Sequence, residues 1–254
     1  MILTEFDKSK EAIINPHGVV DKIENIPKVA VSCFAHVTLE RLCKELNAVQ
    51  ISKMTTANMT IPVYKANYKG QDIVLFMSHV GASGCIACLE DIFAMGVEKV
   101  VLFGTCGVLD ASIGDCSIII PNVAVRDEGT SFHYAPPSDE IVVNRKYQDE
   151  FIEILNQYKC SYTVGKVWTN DAIYRETRGK MERRKESGCI CVDMECSAVA
   201  ALAEFREKEV FQFFYAADNL DSEEWDERSL SNNSNLLEKD RIALLAMELA
   251  VKIG

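Results

Sequence analysis

GCICVDMECSAVAALAEFREKEVFQFFYAAD, residues 188–218, contains a complete strand–helix–strand passage. GCICVDM (188–194) is a short apolar run that reads as a buried strand. ECSAVAALAEFREKE (195–209) shifts to small residues with a polar tail and reads as a helix. VFQFFYAAD (210–218) is apolar and aromatic again, a second strand. Strands that are apolar throughout, rather than alternating, suit a parallel sheet covered on both faces. Within this apolar text stand Asp193 and Glu195, two residues apart. An unpaired charge sent into a core costs several kcal/mol or neutralises itself. Either an internal partner or a polar ligand must meet these carboxylates.

The same alternation extends in both directions. KVAVSCF (28–34) reads as a strand and TLERLCKEL (38–46) as an amphipathic helix. IPVYKANYKGQDIVLFMS (61–78) reads as a hairpin turning at Lys69 and Gly70. GCIACLEDIFAMG (84–96) is a buried helix ending at Gly96, and EKVVLFG (98–104) a buried strand. Residues 117–129 begin as a strand, 144–158 form a helix, 160–170 a strand and 175–187 a polar helix. Residues 233–253 close the chain as a helix. The pattern predicts a single domain over residues 1–254. Its architecture is a three-layer α/β/α sandwich around a mixed, mostly parallel central sheet.

Composition narrows the function classes. A hydrophobic content of 48% with 26% charged residues is that of a globular chain with a large core. The net charge of −11 argues against nucleic acid or an anionic membrane surface as a partner. No apolar run approaches the roughly 18 residues of a membrane span, and MILTEFDKSKE lacks a signal-peptide core, so the expectation is a cytoplasmic protein. Ten cysteines include one C-x-x-C, Cys85 and Cys88, without a second pair at zinc-site distance. They read as reduced core thiols, which fits a reducing compartment, and neither metal nor organic cofactor is expected.

Ligands of open α/β sheets collect at the carboxyl ends of strands. Three segments are expected there: GTCG (104–107), DMEC (193–196) and ADN (217–219). Gly104 and Gly107 let backbone approach a ligand and Thr105 adds a hydroxyl; alone, such a segment is more often a tight turn. Glu195 can accept two hydrogen bonds from vicinal ribose hydroxyls, with Met194 as an apolar surface beneath the sugar, or it can simply favour a helix N-terminus. Asp218, after an apolar strand, is a candidate proton donor that Arg228 could hold, or a strand-end residue opening a loop.

In combination, VVLFGTCG, VRDEGTSFHY, VDMECSA and AADNLD resemble the nucleoside phosphorylase-I family, with VRDEGTSFHYAPP and VWTNDAIYRETR closest to its uridine phosphorylase branch. The family also includes hexameric purine nucleoside phosphorylases and nucleosidases. The resemblance implies a pentosyltransferase that cleaves a nucleoside with inorganic phosphate as co-substrate. It implies ribose binding by Glu195, Met194 and His17, the last reaching a neighbouring subunit of a dimer-based homo-oligomer, a hexamer. It implies phosphate binding at Thr105 and Gly104, protonation of a purine by Asp218 supported by Arg228, and base recognition by Glu176 and Arg178.

The departures from the family pattern concern the anion. Val37 and Leu102 stand where phosphate-gripping arginines are expected, and Lys53 only approaches the position of a third. Arg126, His79 and His36 are the alternative donors. A nucleosidase using water is the runner-up, although Ala35, followed by His36, occupies the place of its general base. A non-catalytic nucleoside-binding protein is the third reading. Whether the base is a purine or a pyrimidine stays open.

Overall fold

The computed structural model describes residues 2–254. The first half runs β1 (Val29–Cys33), α1 (His36–Glu45), β2 (Val49–Thr55), β3 (Thr60–Tyr68), β4 (Gln71–Met77), α2 (Ala82–Met95) and β5 (Lys99–Val108). The second half runs β6 (Ile118–Asp127), β7 (Glu140–Val142), α3 (Gln148–Gln157), β8 (Tyr162–Asn170), α4 (Arg178–Glu186), β9 (Cys189–Asp193), α5 (Cys196–Arg206), β10 (Glu209–Asn219) and α6 (Leu236–Ile253). The hairpin β3–β4 turns at Lys69 and Gly70, both with positive φ, the conformation that matches strand twist in a two-residue turn. Gly96 ends α2 in the left-handed region at φ 116°, as its place after the helix predicts.

All ten strands join one mixed sheet. β1 pairs in parallel with β4 and β5, and β2–β3–β4 extend that side as an antiparallel ribbon. The longest parallel ladders are β5–β10 and β6–β8. Five strands close on themselves, because β5 pairs with β10, β10 with β6, β6 with β8, β8 with β9, and β9 with β5. The sandwich expected from the alternation is therefore present, with half of its sheet curled into a ring.

Side chains alternate between faces, so each strand feeds two cores. On one face Val31, Phe103, Phe211 and Phe213 pack under α1, α3 and α6. On the other, Ala30, Val74, Val100 and Leu102 pack under α2 and α5. Cys106, Ile119, Val167, Cys191 and Phe214, one from each ring strand, form a further cluster that fills the ring. Fully burying one such side chain is worth roughly 1.5–3 kcal/mol.

Two expectations change. GTCG is not a turn beyond a strand: β5 continues through it to Val108. Its glycines serve close packing, since a Cβ at Gly104 would lie 2.6 Å from the Phe34 ring and one at Gly107 2.4 Å from Leu220. The sequence reading also passed over β2, whose residues are largely exposed or half-buried and show no clean alternation.

Candidate active site

The two carboxylates inside the apolar passage have different fates. Asp193, at the end of β9, is satisfied internally: Oδ2 accepts the backbone N–H of Glu195 at 2.8 Å and of Cys196 at 2.7 Å. Its Oδ1 accepts the Thr169 hydroxyl at 2.7 Å. Asp193 thus ties down the first turn of α5, whose amides would otherwise lack partners. Burial pushes its carboxyl up to about 6, against the pull of these donors.

Glu195 is 5% exposed, and the hydrogen bond to its carboxylate comes from the backbone N–H of Gly81, 2.5 Å from Oε1. Gly81 sits before α2 at φ 94°, a conformation costly for any residue with a Cβ. Burial, then the Asp193 charge, push the Glu195 carboxyl up to about 8. A carboxylate so placed, facing a cavity with acceptor capacity to spare, is a site for ligand hydroxyls.

That cavity, of about 740 Å³, is lined by Thr105, Gly107, Met194, Glu195, Asp218, Glu176 and Arg178, together with Phe34, Val80, Tyr174 and Trp225. Gly107 organises it. On one edge of β5 it pairs with Val192 of β9, and on the other with Asp218 of β10. A Cβ there would stand 3.2 Å from Asp218 Oδ1 and 3.3 Å from Val192 Cγ1. The missing side chain lets the ends of β9 and β10 approach a common space.

Asp218 is raised above the ordinary carboxylate range, first by burial, against a hydrogen bond from the Trp225 indole Nε1 at 2.9 Å. Arg228, expected to hold this carboxylate, is bonded elsewhere: it reaches Asp226 at 3.4 Å and the Ile113 carbonyl at 2.9 Å. Its charge still favours the Asp218 anion from a distance. Glu176 is pushed up to about 7, chiefly by burial, while Asn170 donates to it at 3.2 Å. Arg178 spends its guanidinium on the carbonyls of Leu220, Ser222 and Glu223, at 3.0, 2.7 and 3.1 Å.

Besides Arg228, four expected residues do not line the cavity. Arg126 is folded into its own loop, donating to Ser131, Ser138 and the carbonyls of Ala135 and Pro136. His79 packs against Gly84, where a Cβ would lie 2.8 Å from its own Cβ. Gly104 is covered by the Phe34 ring. His17 is exposed, on a short 3₁₀ turn, Pro16–Gly18, that rests on α2. Sequence reasoning missed Phe34, Tyr174 and Trp225. Trp225 alone carried a signal, a large aromatic ring stranded in the acidic loop SEEWDE. Among the described residues no group of three His, Cys, Asp or Glu side chains could hold a metal ion, and no helix is long and apolar enough to cross a membrane.

With the geometry in hand, a comparison with known families is decisive: the model of the phosphorylase superfamily matches residues 28–248. The chain belongs to the phosphorylase superfamily. The nucleoside phosphorylase-I resemblance, the fold and the pentosyltransferase class read from its motifs are borne out. A guanosine phosphorylase from Halorubrum lacusprofundi is 24% identical over 152 residues, covering 60% of this chain and 63% of the relative. A purine nucleoside phosphorylase from Shewanella oneidensis is 22% identical over 75% of this chain and 80% of its own length. The uridine phosphorylase of Escherichia coli is 19% identical over 55% of this chain and 60% of its own. A crystal structure of uridine phosphorylase from Vibrio fischeri, complexed with 6-hydroxy-1-naphthoic acid, superposes with a TM-score of 0.78 at 21% identity. The match covers 91% of this chain and 94% of that one, and shows a shared fold.

Proposed function

We propose that this superfamily member is a nucleoside phosphorylase, which splits the N-glycosidic bond of a ribonucleoside with inorganic phosphate into free base and ribose 1-phosphate. The observation that carries the reading is the meeting of Glu195, just beyond the end of β9, and Asp218, on β10, in one cavity beside Gly107. Glu195 accepts the ribose hydroxyls, with Met194 against the sugar's apolar face. Asp218, raised by its surroundings, gives its proton to a purine leaving group, while Glu176 accepts N–H groups of the base and Arg178 braces the loop behind it. Electron density moving from the ribose to the base is then met at both ends. Thr105 offers its hydroxyl to phosphate. His17 reaches the ribose of a neighbouring copy in a dimer-based hexamer, and the reaction serves nucleoside salvage in the cytoplasm, where ten free thiols stay reduced.

A second reading has its own support. Phe34 stacks its ring edge where an anion would approach Gly104, and neither Arg126 nor His79 faces the cavity. That wall suits a neutral nucleophile, water, better than a phosphate. A panel of purine and pyrimidine nucleosides, assayed with and without phosphate for free base and ribose 1-phosphate, tests both. Base release that requires phosphate supports phosphorolysis, release without it supports hydrolysis, and binding without release leaves a nucleoside-binding protein.

A further inference from the structure

A second cavity, of about 310 Å³, opens where the starts of β6, β8 and α6 meet, and two cysteines line it. Of the ten thiols seven are buried, while Cys43, Cys116 and Cys160 are half-buried. Cys43 lies on α1, and burial pushes its thiol up to about 11. Cys116 and Cys160 each precede a strand, β6 and β8, by two residues. These strands pair in parallel with Ile118 beside Tyr162, so the register carried back two residues sets Cys116 beside Cys160. Although Cys116 turns through φ 59°, the Ile118 N–H bonds the Ser161 carbonyl at 3.0 Å and ties the two segments together just beyond the thiols. Neighbouring strands run about 4.7–4.9 Å apart, within the roughly 4.4–6.8 Å between Cα atoms that a disulfide spans. Both side chains pack against the same apolar cluster, on one face of the sheet. Arg241, also at the cavity, favours the Cys160 thiolate against the effect of burial.

Cys116 also belongs to the root of the loop that carries Trp225. Its thiol donates to the Ser229 hydroxyl at 3.5 Å, and Asn235 Nδ2 reaches its sulfur at 3.7 Å. Ser229 is fully buried, and its N–H donates at 2.9 Å to the carbonyl of Ala217, the residue before Asp218. Its own carbonyl accepts from Lys239 Nζ at 2.9 Å. We infer that Cys116 and Cys160 are a thiol-modification site, which reacts with low-molecular-weight disulfides and closes into a Cys116–Cys160 disulfide that loosens this root. The Cys160 thiolate attacks the external disulfide, forming a mixed disulfide and releasing one thiolate. Cys116 then gives up its proton, attacks Cys160 Sγ and expels the second thiolate. Two protein thiols are oxidised, the external disulfide is reduced to two thiols, and the cysteine protons end on those thiols. Drawn toward Cys160, the Cys116 sulfur leaves Ser229, and the segment carrying Trp225 loses a tie to β10.

The test treats the whole chain with glutathione disulfide, then digests it without reduction for peptide mass spectrometry. A Cys116–Cys160 linkage that dithiothreitol reverses is expected. Hydrogen–deuterium exchange over residues 217–230 should speed up at least threefold in the linked chain. It should not change in Cys116→Ser treated alike, which keeps a hydroxyl donor toward Ser229 but cannot form the linkage. Neither readout needs a substrate. A third, kcat/KM for guanosine, rests on the nucleoside reading and should fall at least fivefold on linkage in wild type and less than twofold in Cys116→Ser. Absence of this linkage overturns the inference, and so does exchange that stays unchanged in the linked chain or rises equally in Cys116→Ser. A linked chain with undiminished kcat/KM overturns the connection to the nucleoside cavity. Linkage with faster exchange, but no nucleoside cleavage in either state, keeps the modification site and sinks the nucleoside reading alone.

Discussion

The Trp225 indole donates a 2.9 Å hydrogen bond to Asp218 Oδ2 across the mouth of the cavity. The bond favours the carboxylate anion, burial favours the neutral acid, and burial wins, leaving Asp218 above its ordinary range. A loop residue therefore limits how far the acid is raised.

Removing the donor while keeping an aromatic ring isolates that control. In Trp225→Phe the Asp218 carboxyl rises further, so it stays protonated to higher pH. The basic limb of the kcat/KM profile with guanosine is expected to move upward in pH. A limb that does not move would separate Trp225 from the acid.

Asp218→Asn removes the transferable proton with little change in shape. General-acid contributions are typically 10²–10⁴-fold, so kcat/KM on purine nucleosides should fall roughly a hundredfold or more. Pyrimidine nucleosides, whose leaving base takes no proton at an N7 position, should lose about tenfold or less. Equal losses on both classes would make Asp218 a structural residue.

Glu195 couples function to stability with opposite signs. Its carboxyl lies at about 8 in the folded chain against an ordinary 4.5. Between those values the folded chain keeps a proton that the unfolded chain has shed, so this group's contribution to stability falls as pH rises through 8. Glu195→Gln should therefore melt close to wild type at pH 5 and above it at pH 8.5. At pH 8.5, where the carboxylate is formed, its kcat/KM should drop about a hundredfold or more, since charge-assisted bonds to two hydroxyls are worth roughly 1.5–3 kcal/mol each. Melting curves and a nucleoside assay on the same preparation check both halves.

Gly107→Ala places a methyl group 2.4 Å from Leu220 Cδ1 and 3.2 Å from Asp218 Oδ1. Overpacking of this kind costs about 1–3 kcal/mol, and relief must come from Leu220 or Asp218. A lowered Tm with a kcat loss larger on purine than on pyrimidine nucleosides is expected. A variant with wild-type kinetics would show that Asp218 tolerates displacement.

Much of the fold was legible because it rests on local text. Apolar runs, the Lys69–Gly70 turn and Gly96 after α2 each announce their elements through nearest neighbours. The ring was not legible, since the β10–β5 and β10–β6 pairings join segments about a hundred residues apart and leave no periodicity behind. Glycine misled the reading of GTCG because its missing side chain serves a tight turn and a close approach alike, and only packing against Phe34 and Leu220 distinguishes them. Carboxylates stood out in apolar surroundings, so Glu195 and Asp218 could be named beforehand, while Glu176, in polar text, was named only through the family resemblance. Arg126 and Arg228 were misjudged because an arginine's reach of several ångströms lets it find carbonyl oxygens in its own loop. Trp225 and Tyr174, on irregular segments, belong to no repeating pattern.

With β9 and β10 both stitched to β5, Glu195 and Asp218 hang from a frame that cannot widen without tearing backbone ladders. On the proposed reading, bulkier or smaller bases would be accommodated by the segment from Leu220 to Leu230, which has a short two-residue bridge, Asn219 to Asp226, at its root. On the proposed reading, exchanges at Trp225 or its neighbours would alter nucleobase preference and leave the Glu195 end of the cavity untouched.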